Sequence, residues 1–212
     1  MGDPINLFSA ANIIFIIPAL LLSMTIHEAM HAFSAYWLGD STANDLGRLT
    51  LNPFKHIDPF TTILLPIVLV ALSLPPILAA KPVPFNPNRV KYDEFGAAIV
   101  GVSGPLTNLA LAVCAAVPIR AFQLNTFSSV GLFLVIFCFI NVALFVFNMI
   151  PFPPLDGSRL IYAFAPEPIQ RIMYQIESLG LVGIFLFIMV GINYIGPVII
   201  EVNSAILQFL LP

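Results

Sequence analysis

Charged side chains are scarce in this chain of 212 residues. They make up 9% of it, where a soluble domain carries about 25%. Hydrophobic residues make up 59%, and the mean hydropathy is +0.98. So few charges cannot cover a soluble surface, and the composition is that of a membrane protein. Basic blocks are missing as well. The 8 Lys and Arg face 11 Asp and Glu for a net charge of −3, which argues against a nucleic-acid partner. There are only 2 cysteines, Cys114 and Cys138. Each sits mid-run in an apolar segment, so both read as small buried core residues rather than as a disulfide or a metal pair. No Lys or Arg precedes the first apolar run in "MGDPINLFSA", which argues against a cleaved signal peptide.

What is present is a series of apolar segments near the 20 or so residues that a spanning helix needs. Segment A runs from about Asn12 to Leu38, with Gly39 as its expected C-cap. Segment B, Thr61 to Ala80, is broken by Pro66, Pro75 and Pro76. Segments C (about Gly96 to Ala121), D (Val130 to Asn148) and E (Leu179 to about Ile200) complete the set. No internal repeat or linker interrupts them, so residues 1–212 read as a single domain. The polar stretches "RLTLN" and "KPVPFN" read as short strands, the second limited to an edge by its prolines. Between D and E, Ile169, Ile172, Met173, Ile176 and Leu179 share one helical face, the pattern of a helix lying along the interface.

Against this background "TIHEAMHAF", residues 25–33, stands out, because ionisable groups in the lipid core are expensive and therefore functional by default. His27 and His31 are four apart and project from one helix face. H-E-x-x-H on a helix offers two imidazole ligands for zinc, with Glu28 placed to take a proton from the water a metal activates. An open catalytic zinc wants a third protein ligand. His56, in the turn-rich "NPFKHIDP", reads as structural. The better candidate is Asp156 in "NMIPFPPLDGSRL". Pro151, Pro153 and Pro154 must unwind the end of segment D, and irregular backbone at membrane depth requires protein or a water-filled cavity beside it. The bland alternatives are a hydrogen-bonded histidine pair and an Asp paired with Arg159.

Three motifs together, HEAMH in an apolar helix, "GPLTN" at 104–108 and "NMIPFPPLDG" at 148–157, resemble the site-2 protease family of intramembrane zinc metalloproteases. "GRLTLNP" and "KPVPFNP" are similar to its small prokaryotic branch, which lacks PDZ and CBS domains. The resemblance implies one zinc per chain, held by His27, His31 and Asp156, with Glu28 as general base. It also implies that Asn108 and Asn148 face the site and handle substrate backbone or the oxyanion. The implied substrate is a membrane-anchored protein or peptide cut in or near its transmembrane segment. The implied location is the prokaryotic cytoplasmic membrane.

For the three ligands to meet, A and D must run in the same direction, so B is expected to enter and leave on one side. That arrangement puts Arg48, Lys55, Lys81, Arg89, Lys91, Arg159 and Arg171 together against Arg120, and the basic side is the cytoplasmic one. The expected fold is an all-α polytopic membrane protein. It has about four spanning helices, a proline-broken re-entrant segment and short β-strands near an active site that opens toward the cytoplasm. Two other classes use the same residues: a metal transporter and a catalytically inactive scaffold. Glu28 separates them, since only a hydrolase needs its carboxylate for turnover. The sequence leaves the substrate, and homo-oligomer formation, open.

Overall fold

The computed structural model describes residues 10–56, 58 and 83–212. Two of its long helices are packed inside out relative to a soluble bundle. On helix α1, Ile13–Trp37, the buried side chains are small or polar, among them Ala19, Ser23, Ala32 and Ala35, while Ile13, Ile14, Ile17 and Leu22 face outward. Beyond the four-residue α2, Thr42–Asp45, helix α3, Asp93–Ala121, repeats the pattern. It buries Gly101, Gly104, Ala112, Ala115 and Ala116 and exposes Ile99, Leu106, Val113 and Val117. Small inward faces let helix backbones approach closely, and large outward aliphatics suit lipid. Helix α4, Ser129–Asn148, begins where the Ser128 hydroxyl accepts the Gly131 N–H, an N-cap bond.

Helices α1, α3 and α4 pack against one another. Their common core holds Ala19, Ala112, Ala115, Ile136, Ile140 and Val142. Two short helices follow, α5, Ser158–Phe164, and α6, Glu167–Glu177; α5 lies against α3. The 30-residue helix α7, Leu181–Leu210, packs on α4. Among the described residues, three helices, α1, α3 and α4, are long and apolar enough to cross a membrane. A fourth span arises if α6 and Val182–Gly191, bent by 101° at the break, count as one.

Segments A, C and D thus appear as helices close to their expected limits. Gly39 closes α1 as expected: its φ of +106° is one that L side chains rarely adopt, and the Asp40 N–H returns to Ala35 O at 2.9 Å, the Schellman pattern. Segment E continues ten residues past its expected end at Ile200. Cys138 is buried as expected, but Cys114 is exposed, on the outward face of α3.

The expected strands are not present among the described residues. Residues 48–52 turn into a single helical turn, Pro53–Lys55, capped by Asn52, whose Oδ1 accepts the Phe54 N–H at 3.0 Å. Residues 83–86 form neither helix nor strand: Asn86 is extended, but Pro84 has no N–H, and the N–H groups of Val83 and Asn86 go to the carboxylates of Glu28 and Asp40. Side chains have taken the donors a strand ladder would use. Segment B, with residues 81 and 82 of "KPVPFN", lies outside the described residues. Its flanks meet at one end of the bundle: Val83 packs with Ala32, Ala43 and Leu49, and the Lys91 N–H donates to Leu38 O at 2.8 Å.

Candidate metal centre

Helix α1 presents His27 and His31 one turn apart, with their rings edge-on and centroids 4.7 Å apart. Both are buried, at 7% and 8% exposure. Space for them comes from α3. A Cβ built on Gly104 would lie 2.4 Å from His31 Nε2 and 2.8 Å from His27 Cε1. Two ring atoms at that range leave no room for any other residue. The "GP" of the 104–108 motif therefore has a steric reason: glycine lets α3 lie directly against the imidazoles.

Asp156 arrives from the far end of α4. The helix stops at Asn148, and the proline-rich turn folds back so that the Gly157 N–H donates to Asn148 O at 2.7 Å. This sets Asp156 Oδ2 at 3.1 Å from His27 Nε2 and 3.4 Å from His31 Nε2. The two Nε2 atoms are 3.0 Å apart. Arg159, the rival partner for Asp156, pairs instead with Glu177 and lies over the ring of Tyr162. The carboxylate is left to the histidines.

His31 Nδ1 lies 2.8 Å from the carbonyl of Val100. A carbonyl can only accept, so Nδ1 carries the hydrogen and the lone pair sits on Nε2. His27 Nδ1 faces Asn108 Oδ1 at 2.5 Å. Three electron-pair donors thus converge, an arrangement that repels itself unless a cation or a proton sits among them. A tetrahedral zinc with bonds of about 2.0–2.1 Å separates its ligand atoms by about 3.3 Å, close to the three separations here. The donor set, two imidazoles and one carboxylate, is also one that zinc accepts. Among the described residues, these three form the one group of His, Cys, Asp and Glu that could hold a metal ion. The ligands fit the group.

The remaining expected site residues lie elsewhere. Glu28 is half-buried, and its Oε2 accepts the Val83 N–H at 2.8 Å. Asn108 does not open on the site: it has 0% exposure, with its oxygen toward His27 and its Nδ2 donating to Asn141 Oδ1 at 2.8 Å. The Asn148 side chain turns back on its own helix and donates to Leu144 O at 3.0 Å. His56 is buried, with Nε2 2.8 Å from Thr50 O, a structural contact. Sequence reasoning missed Ser23 and Asn141, which bond to each other at 2.8 Å behind Asn108. The signal was there: Asn141 is a polar residue in the middle of "FCFINVALF", where polarity is costly.

A sequence model of peptidase family M50 matches residues 116–191, a stretch that includes Asp156 and stops short of the HEAMH helix. The chain is 38% identical over 214 residues to YwhC of Bacillus subtilis (strain 168), by its name a proposed zinc metalloprotease. That alignment covers 93% of this chain and 94% of YwhC. It is 30% identical to Rip2 of Mycolicibacterium smegmatis, named in the same way, over 85% of this chain and 69% of the relative. No solved structure matches.

Proposed function

The chain belongs to peptidase family M50, the site-2 protease type of intramembrane zinc metalloprotease, and we propose that His27, His31 and Asp156 hold its one zinc while Glu28 serves as general base. One observation carries the assignment: His27 Nε2, His31 Nε2 and Asp156 Oδ2 meet at 3.0–3.4 Å beside the helix that carries both histidines and Glu28. When bound, zinc supplies Lewis acidity, polarising a peptide carbonyl and making water nucleophilic near neutral pH. The residues of this chain supply the rest. Glu28 accepts the proton of the attacking water at one carboxylate oxygen and passes it to the leaving amine nitrogen. Its other oxygen is held by the Val83 N–H, which fixes the carboxylate's angle. The Asp156 side chain, 24% exposed, marks the face on which the site opens.

Asn108 and Asn148 take supporting roles in this reading, Asn108 behind His27 and Asn148 as the carbonyl anchor of the turn that delivers Asp156. The substrates are membrane proteins in a lipid environment. We assign cleavage to their membrane-anchored segments and the opening of the site to the cytoplasmic side, where seven of the eight basic residues fall when residues 61–80 re-enter. The test is cleavage of a membrane-anchored reporter in proteoliposomes with zinc measured on the same sample. Loss of cleavage in Glu28→Gln with zinc retained supports the division of labour. Cleavage retained in that variant overturns it.

A further inference from the structure

The polar atoms behind His27 form a chain whose direction can be read from its far end. Ser23, Asn108 and Asn141 come from three different helices, and each has 0% exposure. At the end of the chain lie two backbone carbonyls. Ser23 Oγ is 2.7 Å from Ala19 O, so the hydroxyl donates there and is left to accept. Asn141 has one amide end close to both Ser23 Oγ, at 2.8 Å, and Phe137 O, at 2.9 Å. Facing an acceptor carbonyl and a hydroxyl whose hydrogen is spent, that end must be the NH₂. The other end, Oδ1, then points at Asn108 and accepts from its Nδ2 at 2.8 Å. A third carbonyl, Ser23 O, lies 3.5 Å from the same Nδ2 and favours the same orientation. Asn108 therefore turns its oxygen to His27, and an oxygen can be met only by a protonated Nδ1.

We infer that Asn141 is a positioning residue of the metal centre: through Asn108 it holds His27 in the tautomer that carries its hydrogen on Nδ1 and leaves Nε2 bare for the metal. This rests on His27 being a ligand. His31 needs no such device, because Val100 O fixes it directly. The corresponding α3 position beside His27 offers a side-chain amide, which has two possible orientations until something outside it chooses. Asn141, fixed by Phe137 O, makes the choice. Ser23 is a second anchor on the same nitrogen, so its loss is predicted to matter less.

The experiment is ¹⁵N NMR of metal-free protein labelled at histidine, in nanodiscs, with His27 assigned by its absence in His27→Gln. Zinc affinity is measured by competition with a chelator on the same variants. In the wild type, His27 is expected to carry a hydrogen on Nδ1, whether or not its Nε2 shares a proton with Asp156 once the metal is gone. Asn141→Leu should give a mixture of His27 tautomers, leave His31 unchanged and weaken zinc about 10–100-fold, the usual cost of a lost supporting partner. Asn141→Val takes its place if that variant does not fold. Ser23→Ala should keep the wild-type tautomer. A wild-type His27 with no hydrogen on Nδ1, or an Asn141 variant with unaltered His27 signals, overturns the inference. Zinc retained in His27→Gln would instead overturn the ligand assignment beneath it, and the NMR result stands apart from that outcome.

Discussion

The two halves of the site are held by different means. On the helical side, His27 and His31 lie inside α1, α3 and α4, and every bond that aims them comes from a buried group on another helix. On the loop side, residues 83–92 lie against the end of α1 and are held by carboxylates. Glu28 takes the Val83 N–H, and Asp40 takes the Asn86 N–H at 2.6 Å and that of Thr42 at 3.0 Å. Helix packing fixes the two histidines, and the turn closed by the Gly157 N–H on Asn148 O sets Asp156 beside them. A loop pinned at a few carboxylates leaves more of its backbone adaptable than a strand ladder does.

The largest expected effect breaks the helical half at its tightest point. Gly104→Ala puts a methyl group where the imidazoles are and should reduce zinc binding about as far as His31→Ala, well over 100-fold, measured by bound zinc after purification. Asp156→Asn keeps the size and removes the charge, and should lower zinc affinity beyond the 10–100-fold typical of a supporting residue. Arg159→Ala should leave zinc near normal, because its partner is Glu177. Equal zinc loss in both would return Asp156 to an ion pair.

Of the two halves, the helical one was largely legible in the sequence. H-E-x-x-H is a local signal, and the prolines at 151, 153 and 154 mark where α4 stops and Asp156 can turn back. Asn108 stood out in the sequence through its motif, but only the packing of α3 on α1 shows that its oxygen meets His27 from behind. Asn141 lies 33 residues farther along the chain than Asn108, and no spacing rule connects them. The loop half was misread. "RLTLN" and "KPVPFN" have strand composition, yet in the first the Arg48 N–H goes to Ala43 O and the Asn52 N–H to the Thr50 hydroxyl, while in the second Glu28 and Asp40 take the N–H groups of Val83 and Asn86, and competition by distant carboxylates is invisible to a pattern of alternation.

Two smaller effects sharpen the loop half. Val83→Pro keeps the extended backbone that Pro84 already imposes but removes the N–H on Glu28. Loss of a charge-assisted bond of about 1.5–3 kcal/mol should lower kcat about 10–100-fold with zinc content unchanged. Asp40 shows the smallest effect, on stability. Burial by itself would raise its carboxyl, but hydrogen bonds from Thr42 and the Asn86 N–H, with Arg89 nearby, hold it below the usual carboxylate value. A folded-state pKa below the unfolded one means stability that is present above about pH 4 and lost as pH falls further. Thermal unfolding in detergent should therefore drop on acidification from pH 6 to pH 3, and Asp40→Asn should remove part of that dependence while lowering Tm at pH 7.

The most direct measurement of the central claim is zinc per chain, by mass spectrometry of the metal, on wild type, Glu28→Gln and His31→Ala purified side by side and assayed for cleavage. The expected result is one zinc and cleavage in the wild type, one zinc without cleavage in Glu28→Gln, and neither in His31→Ala. Zinc lost equally from Glu28→Gln and His31→Ala would make Glu28 a ligand and contradict its assignment as the base.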